Sequence, residues 1–193
     1  MVFLQNDNLN LSPDELAGET VRLCAAENVA ADTYGLGGIV EKVEAHFARL
    51  LGKERALFMP TGTLANQLAL RALAGERRRV VVQEPSHVYN DCGDACQILS
   101  GLTLLPVAPE RASFSWMEVE RLLAKTASGR VAADIGAISI ESPVRRLSGE
   151  LFDRAEMEKM YAQLLSAFEQ MMDKGGLGRN DVAAAAAMYV AGT

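Results

Sequence analysis

Residues able to do chemistry gather in one short stretch, Met59-Pro60-Thr61-Gly62-Thr63-Leu64-Ala65-Asn66, where a glycine and two hydroxyls fall between an apolar run and a helical one. A helix N-terminus carries amides without intrahelical acceptors and the positive end of the helix dipole, and both attract an anion. Gly62 lets a phosphate approach the backbone, and Thr63 adds a hydroxyl. Thr63 is equally suited to the simpler task of capping the helix. Neither histidine is informative alone: His87 reads on its own merits as a surface or core residue, and His46 lies on the exposed side of an amphipathic helix. Cys24, Cys92 and Cys96 are odd in number, and three residues separate the last two, where a zinc or redox pair has two. With no histidine pair nearby, they read as buried or half-buried thiols.

The elements that must position these residues alternate. Ser12-Pro13-Asp14-Glu15 supplies an N-cap, a first-turn proline and an N3 glutamate, which predicts a helix to about Ala26. From Ile39 to Leu51 the residues Val40, Val43, Phe47, Leu50 and Leu51 share a helical stripe expected to face a core, and Gly52 closes it. Arg55 to Met59 is a short apolar run read as a strand and ended by Pro60. The helix from Thr63 to Ala74 follows, with Leu64, Leu68, Leu70 and Leu73 expected inward.

Further strands are expected near Val80–Gln83, Thr103–Val107 and Ile135–Ile140. Helices near Gly93–Leu99 and Ser115–Lys125 separate them, the second opened by the capping box Ser115-x-x-Glu118. Asp153-x-x-Glu156 opens another helix to about Asp173, and Asn180 to Val190 is alanine-rich and helical. Short apolar strands alternating with amphipathic helices define an α/β class, a mainly parallel sheet flanked by helices.

Bulk properties exclude several classes. The 193 residues are enough for one domain with a core, and 49 % hydrophobic with 23 % charged residues is ordinary globular composition. A net charge of −6 opposes nucleic-acid binding, and the run Arg77-Arg78-Arg79 reads as a solvated turn before a strand. No apolar segment approaches the roughly 20 residues of a bilayer span, and the start lacks the basic and apolar regions of a leader. No membrane partner and a cytoplasmic location are the expectation.

Around the Gly62-Thr63 bend, the sequence resembles the threonine aldolase and β-eliminating lyase family of fold-type I pyridoxal-phosphate enzymes. Asp32-Thr33-Tyr34-Gly35, Val40-Glu41-x-x-Glu44 and Leu51-Gly52-Lys53-Glu54-x-Ala56-Leu57-Phe58 are similar to the stretch ahead of that family's phosphate cup. Glu84-Pro85-Ser86-His87-Val88-Tyr89 resembles its histidine loop, and Ile138-Ser139-Ile140-Glu141-Ser142-Pro143 its Glu-Asn-Thr or Glu-Ser-Pro segment. The likeness covers about residues 1–160. It implies part of a fold-type I large domain, with residues 161–193 a helical tail of separate character.

The resemblance implies pyridoxal 5′-phosphate as cofactor, Gly62 and Thr63 on its phosphate, and His87 stacked on its ring as a catalytic residue. An imidazole lying flat on one ring face leaves the other for a lysine or substrate, and it exchanges protons near neutral pH. The implied reaction is retro-aldol cleavage of β-hydroxy amino acids such as threonine to glycine and an aldehyde. An amino-acid substrate and a homodimer or larger homo-oligomer are implied with it. Tyr34 falls in a motif that lies near the subunit interface and active site in this class, a position that packing explains equally well.

The family's Asp-Gly-Ala-Arg strand end is not found, and its lysine loop is echoed only by Lys174-Gly175-Gly176-Leu177-Gly178. As a C-terminal helix lysine with a glycine stop, Lys174 needs no cofactor role. The expectation is therefore an incomplete lyase, with truncation, deletion and fusion all able to produce it. A sheet cut short would expose a strand edge and apolar faces. Two alternatives stand beside it: a non-catalytic interaction fragment that keeps the fold, and an oxidoreductase fragment, since the tail resembles the end of hydroxyisobutyrate-type dehydrogenases. Against the latter, no Gly-x-Gly-x-x-Gly follows a strand.

Overall fold

The computed structural model describes residues 11–131 and 133–175, with side chains through residue 167. The chain divides between Pro60 and Thr61 into two compact units. The expected helix over 180–190 and the Gly176–Gly178 part of the lysine loop lie outside the described residues, as does the Lys174 side chain.

The first unit holds two helices, α1 (Pro13–Ala26) and α2 (Ile39–Leu50). The Ser12 capping box forms as the sequence requires: Ser12 Oγ accepts the Glu15 amide, and the Glu15 carboxylate accepts the Ser12 amide at 2.7 Å. Between the helices, Thr33 and Leu36 bridge across a tight turn that puts Tyr34 and Gly35 at positive φ. Asp32 packs against Gly38 so closely that a Cβ there would fall 2.6 Å from its own.

Two expectations in this unit are corrected. The α2 stripe is not core: Val43, Phe47, Leu50 and Leu51 are exposed, and Ala48 is the buried residue of the helix. Periodicity names the face that seeks apolar contact, and the contact has to come from elsewhere. Arg55 to Met59 is not a strand. A strand needs a hydrogen-bonded neighbour, and here the Phe58 amide donates to the Glu44 carboxylate instead, leaving Leu57 and Phe58 exposed.

The second unit is an α/β layer structure. In chain order come α3 (Gly62–Ala74), β1 (Arg79–Gln83), the short α4 (His87–Asn90), α5 (Ala95–Ser100), β2 (Thr103–Val107), α6 (Trp116–Ala127), β3 (Ile135–Ile138) and α7 (Arg154–Gly175). The described strands form one parallel sheet in the order β2-β1-β3, with Val80 opposite Leu104 on one side and Ala137 on the other. α7 continues without a break through Met160 and Tyr161.

The central strand explains the layering. Val80, Val81, Val82 and Gln83 are wholly buried, and because side chains alternate along a strand they feed two cores. Val80 and Val82 pack with Leu70 and Ala74 of α3 and Cys96 of α5. Val81 faces the opposite way, toward Phe114, Val119 of α6, Phe152 and Met160 of α7. Within α3 the buried residues are Gln67, Leu70 and Ala74, whereas Leu64 and Leu68, expected inward, are exposed. The helix is rotated so that the polar Gln67 enters the core, where it bonds Cys96 and Ser100.

Candidate active site

The loops after β1 and β3 leave the sheet toward opposite faces, β1 toward α5 and β3 toward α7. In open parallel sheets a crevice forms at the carboxyl ends of two such strands, and ligands bind there. Here the crevice is stitched together by Gln83, the last residue of β1. Its amide nitrogen donates to the carbonyls of Ala112 and Glu141, and its amide oxygen accepts the Glu141 N–H at 2.7 Å. Being fully buried, Gln83 fixes the Glu141-Ser142-Pro143 segment against the start of the histidine loop.

Glu141 then organises that loop. Its carboxylate accepts the amide of His87, the first residue of α4, and the amide of Arg145 at 2.9 Å. A carboxylate on a free first-turn amide is a favourable pairing. Asn90 closes the loop from the other end, donating to the carbonyls of Glu84 and Ser86. His87 is thereby held with its Nδ1 buried and without a well-aligned hydrogen bond. The nearest anion is Asp91 Oδ2 at 3.4 Å, one helical turn on. The Ser86 hydroxyl beside it is also buried and unpartnered.

Asp91 faces a second partner. The Arg146 guanidinium reaches it with Nη2 at 2.5 Å from Oδ1 and Nε at 3.3 Å from Oδ2. This hydrogen bonding holds the Asp91 carboxyl below its usual range, and the charges of Arg146 and His87 add to it against the effect of burial. Arg146 is raised in turn, first by that hydrogen bond.

The bend at Gly62-Thr63 meets the same cluster through Cys92. Thr61 turns out to be the N-cap of α3, its hydroxyl accepting the Leu64 amide at 3.1 Å while its carbonyl accepts the Ala65 amide. Thr63 is therefore not the cap, and its hydroxyl lies beside the Cys92 thiol. Burial pushes the Cys92 thiol up, the charges of Asp91 and Glu141 add to that, and the Thr63 hydrogen bond opposes it. A Cβ at Gly62 would meet nothing within 4 Å, so the bend is open. The amides of Gly62 and Thr63, ahead of the first intrahelical bonds, are the ones free for a ligand.

Thr63, Cys92, Asp91, His87, Arg146 and Glu141 thus form one contiguous cluster, with Gly62 at its open edge. Of these, Gly62, Thr63 and His87 are legible as candidates in the sequence. Asp91 and Arg146 are not: the His87-x-x-x-Asp91 spacing carries a signal on a helix, but nothing in the sequence joins it to a residue 55 positions on. Among the described residues no group of acidic, histidine and cysteine side chains is arranged to hold a metal. An open cleft of about 260 Å³, lined by Val107, Ala108, Glu118, Arg121, Leu122 and Lys125, shares no residue with the cluster.

The cluster thus offers two chemical features: free amides at an open helix start, and an imidazole whose buried Nδ1 lacks a hydrogen-bond partner. Among the described residues, no lysine is hydrogen-bonded or ion-paired to a member of the cluster. Residues 14–165 match the family model described as beta-eliminating lyase. Alanine racemase TOXG of Cochliobolus carbonum is 37% identical over 76 residues, 39% of this chain and 20% of that protein. The low-specificity L-threonine aldolase of Eremothecium gossypii is 35% identical over 78 residues, 40% of this chain and 20% of that enzyme. Among crystal structures, a Listeria monocytogenes protein assigned as an L-allo-threonine aldolase superposes with a TM-score of 0.64 at 26% identity, covering 90% of this chain and 44% of that one. The chain thus spans less than half of the solved relative, and the alignments span about a fifth of the two curated ones.

Proposed function

Because the chain belongs to the beta-eliminating lyase family, matched over residues 14–165, we propose that it carries the phosphate-and-ring half of a pyridoxal-phosphate site in an amino-acid lyase of the threonine aldolase type. The observation that carries this reading is the meeting of two separate segments. Gln67 of α3, one turn past Thr63, donates to Cys96 Sγ, one turn past Cys92, at 3.2 Å, and the Thr63 hydroxyl lies beside the Cys92 thiol that follows the histidine loop.

In this reading the amides of Gly62 and Thr63 and the Thr63 hydroxyl hold the cofactor phosphate, with the positive end of the 13-residue α3 helix behind them. His87 covers one face of the ring. When bound, the cofactor supplies an electron sink that stabilises negative charge left on the substrate α-carbon as its bond to the β-carbon breaks. His87 accepts the proton of the substrate hydroxyl, and Glu141 holds the residue in place through its backbone amide. The products from a β-hydroxy amino acid are glycine and an aldehyde. None of these residues is assigned as the attaching lysine or as the partner of the ring nitrogen. A cytoplasmic homo-oligomer completes the proposal.

The test is cofactor binding by the purified chain, followed by absorbance. Gly62→Asp places a carboxylate at the helix start, where it favours the helix and repels a phosphate. Binding should weaken at least about tenfold in Gly62→Asp and in His87→Ala, roughly 1.4 kcal/mol. A wild-type chain that does not bind, or variants that bind like it, would overturn the assignment. Borohydride reduction and peptide mapping then identify any modified lysine, Lys174 included. The racemase among the relatives favours a second reading, since racemisation also labilises a bond at the α-carbon; D-alanine formation without threonine cleavage would select it.

A further inference from the structure

Building on the proposed role of His87, we infer that Asp91 and Arg146 are positioning residues that set which imidazole nitrogen does the chemistry. His87 Nδ1 is buried and lies 3.4 Å from Asp91 Oδ2, and no other described acidic side chain is paired with it. The Glu141 carboxylate is close as well, but both of its oxygens are engaged by backbone amides, those of His87 and Arg145. Asp91 is thus the acceptor for a proton on Nδ1. A proton placed there leaves Nε2 with its lone pair, so the nitrogen that can take a proton from a substrate is the one away from Asp91.

Asp91 needs to be held for this to work, because its side chain is about one-third accessible and free to rotate into solvent. Arg146 does the holding. Its planar fork takes both carboxylate oxygens, a geometry that fixes orientation where a lysine would supply only charge. Arg146 belongs to the segment after β3, whereas His87 and Asp91 follow β1, so the pair also ties the two lips of the crevice. The chain of contacts runs Arg146 to Asp91 to His87, and a carboxylate orienting an imidazole through the nitrogen not used in the reaction is a recurring device.

Histidine ¹⁵N NMR on the full chain without cofactor reads this directly, because the chain has two histidines and the exposed His46 is an internal control. In mildly alkaline solution, wild-type His87 should show a protonated Nδ1 and an unprotonated Nε2. Asp91→Ala should exchange the two signatures while His46 stays as it was. Arg146→Gln should move them part of the way, and Arg146→Lys should restore less than the native arginine. A wild-type His87 protonated at Nε2, or signatures unmoved in both Asp91→Ala and Arg146→Gln, overturns the inference. Arg146 is half exposed, so Arg146→Gln remains informative if Asp91→Ala does not fold. Adding pyridoxal phosphate separates the two ideas: a His87 spectrum that ignores the cofactor defeats the proposed function, and the tautomer result stands or falls without it.

Discussion

Gln83 shows how one buried polar side chain can carry a site. Its three hydrogen bonds satisfy groups of Ala112 and Glu141 that water does not reach, and removing it leaves all of them unpaired. Gln83→Leu keeps the volume and should destabilise the chain by about 3 kcal/mol in urea unfolding, since each orphaned buried group costs about 1–3 kcal/mol. Asp91 makes a claim about acid. The Arg146 hydrogen bond, with the Arg146 and His87 charges, lowers its carboxyl pKa in the folded chain. The unfolded state therefore takes up its proton first as pH falls, and the contribution of Asp91 to stability is complete above the ordinary carboxyl range and lost as pH drops through the folded value. Urea midpoints of wild type and Asp91→Ala should differ at about pH 6 and draw together as pH falls below the ordinary carboxyl range, with a modest gap because solvent screens the pair. At this scale the sequence offers Gly62 and Thr63 as candidates by type and setting, and His87 through the family resemblance. It hides Arg146, because an ion pair between distant segments leaves no local pattern.

Elements follow local rules more faithfully. The boxes at Ser12 and Ser115 form with the geometry their spacing demands, and β2 covers the expected Thr103–Val107. Capping is legible in kind at α3 but falls on Thr61, two residues before Thr63. That shift matters, because a Thr63 engaged as a cap could not also face a ligand. Thr61→Ala should cost about 1 kcal/mol of stability by thermal unfolding. The approach of α3 to β3 sets a sharper constraint. A Cβ on Gly136 would lie 2.6 Å from the carbonyl oxygens of Ala74 and Arg77, both backbone atoms that cannot swing away. Gly136→Ala should destabilise by about 1–3 kcal/mol, as overpacking does, with the midpoint of chemical denaturation as the readout.

In the whole second unit, two cores lie on either side of one strand, and each depends on pieces far apart in the chain. Phe114 packs edge-on against Phe152 at 5.1 Å between ring centroids and is 1% exposed. Phe114→Ala should lower stability by about 3–5 kcal/mol in guanidinium unfolding, enough to threaten the fold of a domain this size. The exposed apolar side chains of α2 and the run at Leu57 and Phe58 mark where sequence reasoning overreached. By itself the sequence determined the alternation of strands and helices, the parallel sheet and the family likeness, because propensity, capping and period act over a few residues. Only the tertiary structure decided that Arg55–Met59 pairs with none of the described strands, that α3 turns Gln67 inward, and that Arg146 clasps Asp91 beside His87. Those outcomes depend on which surfaces and charges distant segments bring together, and no short window of residues contains that information.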